Sequence, residues 1–316
     1  VPRPIILGVV GDSAAGKTTI TRGLVRILGE GQVSHVGLDD YHRYDRNQRS
    51  ERGITPLDPD ANYVDIMTQH LRHLRAGEPI LKPVYRHADG TFGPPTYVEP
   101  HGFAVLEGLL GYHTDELCDL YDVRVYLAPP EALRRKWKVD RDCSRRGYTT
   151  DQVLTELDRR EADSAAFIRP QERRADVVVS FQPALDASDG STALDAELLL
   201  RPDLPHPDLS PFVDDARGGI RVEDRGEERR VYIPADVDPD DAAELEEAVW
   251  QKMHFARHLR TDHLGEYTVG TELHRSETLA IVQVLVLYQL VTAKAAVALG
   301  GVGARNARAD AEAVAS

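Results

Sequence analysis

The chain has 316 residues, 41% of them hydrophobic, enough for one large α/β domain or two smaller ones around a substantial core. Its 38 Lys and Arg against 52 Asp and Glu leave a formal charge of −14, which repels nucleic acid and anionic membranes except where basic residues gather locally. Cys118 and Cys143 are the only cysteines, which excludes a disulfide framework and points to a reducing cytoplasm, and the motif that starts at residue 11 leaves no room ahead of it for a signal peptide.

Ile5 to Val10 reads as a short buried strand and residues 17–28 as an amphipathic helix. Between them, Gly11-Asp12-Ser13-Ala14-Ala15-Gly16-Lys17-Thr18 fits the G-x-x-x-x-G-K-[ST] phosphate loop in full, in the strand-to-helix context that this loop requires. Without side chains at Gly11 and Gly16, the backbone N–H groups up to Thr19 can converge on phosphate oxygens at a helix N-terminus, where the dipole favours negative charge. Lys17 is expected to reach the β- and γ-phosphates of ATP, and Thr18 to offer its hydroxyl to Mg²⁺.

Further strands are expected at 33–38, 102–107, 122–127 and 176–181, and helices at 62–76, 130–146 and 151–166. This alternation predicts an α/β core over residues 1–183, a mostly parallel sheet flanked by helices, which together with the phosphate loop at its first strand resembles the P-loop kinase (nucleoside/nucleotide kinase) kind. The polar stretch from Asp39 to Asn62 is too long for an ordinary loop, and loops of that length are usually functional or disordered. Residues 184–316 form a smaller α+β C-terminal extension expected to pack on the core. It opens with surface connections at 186–190 and 201–207, continues with short strands at 220–223 and 230–233 and helices near 239–258 and 277–299, and ends in a tail, 300–316, expected to fray. The apolar run Leu279 to Leu299 is interrupted by Gln283, Gln289 and Lys294, so it reads as a core or subunit-interface helix rather than a membrane span.

A phosphate loop does not name the acceptor, and phosphoryl transfer also needs a metal ligand, a group to receive a proton, and positive charge. Glu107 closes the run Phe103-Ala104-Val105-Leu106, and a carboxylate at the C-terminal end of a central strand points into the ligand crevice. Asp39 and Asp40 close the second strand on the same edge, where an ionised carboxylate can take a hydroxyl proton; an Asp pair there also reads as turn carboxylates. On a helix Lys138, Arg141, Asp142 and Arg145 share a face, which reads as an anion site or as a solvated charge row.

Leu38-Asp39-Asp40-Tyr41-His42, Gly53-Ile54-Thr55-Pro56-Leu57-Asp58-Pro59-Asp60-Ala61-Asn62, Lys82-Pro83-Val84-Tyr85, Leu106-Glu107-Gly108-Leu109, Arg141-Asp142, Arg146-Gly147 and Phe167-Ile168-Arg169-Pro170-Gln171 together resemble phosphoribulokinases of the plant and cyanobacterial type, in order and spacing, up to about residue 181. The resemblance implies transfer of the ATP γ-phosphoryl group to O1 of D-ribulose 5-phosphate with Mg²⁺, and a homodimer. Carried over, it makes Asp39 the catalytic base, Lys17 and Thr18 the ATP and metal residues, and Glu107 the second acidic metal residue, with Asp39 also on the metal side. It makes His42, Arg46 and Arg146 contacts of the sugar phosphate, Lys138 and Arg141 stabilisers of the transferring phosphoryl charge, and Asp142 an acid needed for turnover. Tyr85 and His87 fall in the loop over the substrate, and Arg160 near the nucleotide lid. Ala15 and Gly37 stand where the plant enzyme carries its regulatory cysteines, so its thiol–disulfide switch cannot operate here. Uridine or cytidine kinase, the main alternative, shares the loop and the strand-end Asp, but its core is shorter and it has no second phosphate to hold; a kinase of a different sugar phosphate is a further alternative. A non-catalytic nucleotide-binding scaffold would have no need of Asp39, Glu107, Arg141 and Asp142 together.

Overall fold

The computed structural model describes residues 3–184, 193–213, 219–253, 259–301 and 303. In chain order the first elements are β1 (Ile5–Gly11), α1 (Lys17–Leu28), β2 (Val33–Gly37), α2 (Arg46–Arg52), α3 (Val64–Arg75), β3 (Ile80–Arg86), β4 (Thr91–Val98) and β5 (Phe103–Gly108). α4 (Asp115–Cys118), β6 (Val123–Leu127), α5 (Glu131–Arg146), α6 (Thr150–Asp163) and β7 (Val177–Pro183) follow. The remainder is β8 (Leu194–Leu200), β9 (Arg221–Arg225), β10 (Glu228–Ile233), α7 (Pro239–Gln251), β11 (Glu266–Val269), β12 (Glu272–Arg275) and α8 (Glu277–Ala298).

One eight-stranded sheet, in the order β2-β5-β1-β6-β7-β8-β10-β9, organises the molecule. The strands from β2 to β7 in that order are parallel, and the last three join antiparallel, so β8, β9 and β10 lengthen the core sheet, while β11 and β12 pair as a separate two-stranded sheet. Every residue of β1 is buried, and alternate side chains feed two cores. Ile5, Leu7 and Val9 pack with α1, α7 and α8; Ile6 and Val10 pack with α3, α4 and the rings of Tyr112 and Tyr121.

α8 is apolar on every face because most of its length is buried, lying against β8, β1, β6, α7 and α1. Its polar interruptions have partners: Gln283 accepts from Gly265 N at 2.8 Å, Gln289 donates to His206 Nδ1 at 2.7 Å, and the Lys294 ammonium sits 4.5 Å over the Phe103 ring. The helix is long and apolar enough to cross a membrane by composition, but 67% of its apolar window is buried within the fold.

Several elements depart from the sequence expectations. The stretch from Asp39 to Asn62 is not an open loop: it holds a 3-10 turn at Leu38–Tyr41, helix α2, and a second 3-10 turn at Pro59–Ala61. α2 starts at a capping box in which Asp45 accepts from Gln48 N while the Gln48 side chain accepts from Asp45 N. β3 and β4 form a separate hairpin that the prolines at 83, 94 and 95 disguised; a two-stranded ribbon tolerates Pro because its outer edges need no donors. β8, rich in helix-favouring Leu, Ala and Glu, is a strand because its pairing with β7 and β10 overrides propensity. α6 ends at Asp163 and continues as a π turn over Ser164–Ile168, and α7 ends at Gln251. Residues 186–190, 254–258 and most of the tail lie outside the described residues.

Gly8 marks the tightest point of the second core. A Cβ there would stand 2.7 Å from Tyr112 Cε1 and 2.8 Å from Tyr121 Cδ1, two fully buried rings packed edge to face. Gly8→Ala is therefore expected to cost about 1–3 kcal/mol by overpacking, measured by urea denaturation; an unchanged midpoint would contradict this packing.

Candidate active site

The phosphate loop leaves the C-terminal end of β1 and enters α1 through Gly16, whose φ of 94° is left-handed. At Gly11 a Cβ would meet the Leu127 carbonyl oxygen at 2.6 Å, so β6 and the loop can approach this closely only with glycine. Ala14 is the one described non-glycine residue at positive φ, 66°, which places local strain in the loop itself. The Lys17 ammonium folds back onto the Gly11 and Asp12 carbonyl oxygens, 2.8 Å from each. Burial lowers its pKa against the opposing pull of Asp39, Glu107 and Asp12.

Asp12 anchors the loop from outside. Its carboxylate accepts from Ser164 Oγ in the π turn and from Ser13 N at 2.7 Å, with Arg134 Nη1 3.5 Å away; Arg134 also donates to Ser13 O at 3.0 Å. α5 and the turn after α6 thus grip the loop at residues the motif marks only as variable.

The two aspartates after β2 have different surroundings. Asp40 Oδ2 takes the Lys82 ammonium and Oδ1 accepts from Tyr85 N at 2.8 Å, which fastens the β3–β4 hairpin to the strand end. The Asp39 carboxylate accepts no hydrogen bond among the described residues, yet its charge is felt at Lys17, His42 and His87. It therefore stands between the phosphate loop and the hairpin.

Asp142, 4% exposed, collects the basic face of α5: Lys138 Nζ at 2.7 Å, Arg141 Nε at 2.9 Å and Arg146 Nη1 at 3.5 Å. These three contacts hold the cations in fixed directions around one carboxylate. Burial, then the neighbouring Arg141, pushes the Lys138 ammonium down to about 8. The field of Arg141 reaches both Lys17 and His87, and that of Arg146 reaches His87, so this face and Asp39 act on the same groups. The Arg145 side chain lies outside the described set. Arg160 pairs with Glu156 on its own helix and faces Lys138.

On the hairpin side, Arg46 Nη2 donates to His87 O at 2.6 Å, and Tyr85 is buried with edge-to-face contacts to His42 at 4.7 Å and His87 at 5.1 Å. Sequence reasoning missed Arg49, which donates to Tyr85 Oη at 2.7 Å and to Tyr44 O at 2.5 Å. The Asp45–Gln48 cap and its Gly53 stop were the signals that could have found its helix.

Thr18 and Glu107 line one cavity of about 380 Å³ with Arg22 and His35, and Asp39 is not part of that lining. Glu107 accepts from Thr21 Oγ1 at 3.0 Å and faces His35 Nε2 at 3.3 Å. Burial raises its pKa, but His35, Lys17 and Thr21 outweigh that and hold it below the usual carboxylate range. A hydroxyl and one ionised carboxylate beside a phosphate loop suit Mg²⁺, a hard ion that keeps several waters and takes phosphate oxygens.

The sequence model of the Phosphoribulokinase / Uridine kinase family matches residues 6–188, more than half of the chain. The chain belongs to this family. It is 38% identical over 192 residues to a phosphoribulokinase of Synechocystis sp. (61% of this chain, 58% of that protein). It is 33% identical over 196 residues to a chloroplastic phosphoribulokinase of Arabidopsis thaliana (57% and 50%). The phosphoribulokinase/uridine kinase member described here thus spans between 50% and 58% of the length of those two relatives. A uridine kinase of Oceanobacillus iheyensis is 32% identical over 181 residues (56% and 86%). The solved phosphoribulokinase from Rhodobacter spheroides shares the fold, with a TM-score of 0.59 over 81% of this chain and 98% of that one at 20% identity.

If Lys138 must be charged to act, kcat/KM for ATP falls as pH rises through about 8, since its depressed pKa means charge below that value and none above. Lys138→Arg, which keeps its proton, is expected to move this alkaline limb upward; an unmoved limb would remove Lys138 from the assignment.

Proposed function

We propose that this family member is a phosphoribulokinase, transferring the γ-phosphoryl group of ATP to O1 of D-ribulose 5-phosphate. The observation that carries the reading is the unengaged Asp39 carboxylate, whose field reaches Lys17 on one side and His42 and His87 on the other. Arg141 acts on both sides of it. A triphosphate tail and a second phosphorylated molecule would each find a basic wall with one carboxylate between them. The family's phosphoribulokinase relatives support the same acceptor.

In this mechanism the loop amides and Lys17 hold the β- and γ-phosphates, Lys17 exchanging its carbonyl partners for phosphate oxygens. Arg46 and Arg146 hold the sugar phosphate, and Tyr85 and His87 close over it. As the O1–phosphorus bond forms and the bond to the β,γ-bridging oxygen breaks, Asp39 receives the hydroxyl proton. Lys138 and Arg141, aimed by Asp142, offset charge on the equatorial oxygens. Thr18 and Glu107 would hold Mg²⁺, which when bound neutralises phosphate charge. In a loose transition state, orienting O1 matters as much as basicity.

ADP release assayed across ribulose 5-phosphate, ribose 5-phosphate, uridine and cytidine tests the reading. Turnover with ribulose 5-phosphate and Mg²⁺ is expected; turnover of uridine without ribulose 5-phosphate would overturn it. Asp39→Asn is expected to lower kcat by at least ~10² with ATP affinity little changed, whereas Asp40→Asn, which loosens the hairpin, should act mainly on KM for the sugar phosphate. A near-normal kcat for Asp39→Asn would take Asp39 out of the role.

A further inference from the structure

His42 and Asn62 face each other across an isolated antiparallel bridge, 4% and 3% exposed. Asn62 Nδ2 lies 3.1 Å from the Pro56 carbonyl oxygen and 2.8 Å from that of Asp58. Carbonyl oxygens only accept, so this end of the amide must be the NH₂ group; the flipped amide would set its oxygen against two others. Asn62 Oδ1 is thereby turned to His42 Nδ1, 2.8 Å away, and because Oδ1 can only accept, Nδ1 must carry a proton.

The rest of the pocket keeps the ring neutral. Burial lowers the His42 pKa to about 4; Arg49 from α2 and His87 beyond β3 push the same way, while Asp39 from the turn after β2 and the Asn62 hydrogen bond oppose them. The ring is held edge-on to Tyr85, itself fixed by Arg49 and by its N–H to Asp40. Nε2 makes no hydrogen bond among the described residues, so its lone pair is the acceptor the ring leaves unused.

We infer that Asn62 is a positioning residue that locks His42 as the Nδ1–H tautomer, so that Nε2 meets the acceptor as a hydrogen-bond acceptor for a sugar hydroxyl and not as a cation for its phosphate. The hydroxyl half of this inference rests on the sugar-phosphate reading above; the tautomer half does not. Recognition then divides between arginines that take the anion and a neutral imidazole that rejects acceptors lacking a hydroxyl at that place.

Long-range ¹H–¹⁵N correlation spectra of the labelled protein, with His42 assigned by its loss in His42→Gln, test the tautomer without substrate. A protonated Nδ1 and a bare Nε2 from pH 6 to 8 are expected, and an Nε2–H or doubly protonated ring in the wild type would overturn the inference whatever the variants do. In Asn62→Ala the tautomers should mix, with KM for ribulose 5-phosphate raised roughly tenfold and KM for ATP unmoved. His42→Gln, whose carbonyl oxygen can stand at the Nε2 position, should bind ribulose 5-phosphate roughly tenfold better than His42→Lys. The reverse order would make His42 a cation site and contradict the hydroxyl half. Failure to turn over ribulose 5-phosphate, with the expected spectra, would sink the functional reading and leave the tautomer standing.

Discussion

The site depends on a division of labour between adjacent carboxylates. The ion pair of Asp40 with Lys82, reinforced by the Tyr85 N–H, pins the β3–β4 hairpin across the ends of the parallel strands. By absorbing that lysine, Asp40 leaves Asp39 free of hydrogen-bonding partners among the described residues. Had the lysine paired with Asp39 instead, a carboxylate whose field reaches Lys17 would be neutralised by a structural contact. A cation bonded directly to a carboxylate lowers its proton affinity, so the unpaired one is the better proton acceptor.

The same economy recurs around the phosphate loop and α5. Asp142 gathers Lys138, Arg141 and Arg146, and Asp12 is gripped by Ser164 with Arg134 close by. Each buried acid fixes the direction of its neighbours, which keeps positive charge preorganised before any anion arrives. Arg134 and Lys138 lie one turn apart on α5, so the helix that grips the loop also carries the basic face. Loop position and charge position are coupled through a single rigid element.

Much of this was legible because the core strands and the loop obey strong local rules. α1 spans 17–28 as its periodicity indicates, and β1, β2, β5, β6 and β7 lie within a residue or two of their apolar runs. Parallel strands with buried faces declare themselves as short apolar runs, and their shared C-terminal edge brings Asp39 and Glu107 to the loop. The hairpin was not legible, since Pro83, Pro94 and Pro95 read as loop, and its attachment depends on Lys82 meeting Asp40, 42 positions away in the chain. β8 was hidden by a helix-favouring composition that only its neighbours override. The roles of Asn62 and Arg49 could not be read locally either, because each acts by orienting a ring brought near by the tertiary fold.

The central claim is that one carboxylate, Asp39, separates a triphosphate held by the loop from a sugar phosphate held by arginines. A crystal structure with a non-hydrolysable ATP analogue, Mg²⁺ and ribulose 5-phosphate tests it most directly. The Asp39 carboxylate should lie about 2.6–3.2 Å from O1 of the sugar, with Arg141 against the phosphates. A sugar phosphate bound with O1 turned away from Asp39, or outside the cleft shared by Lys17 and His42, would contradict it.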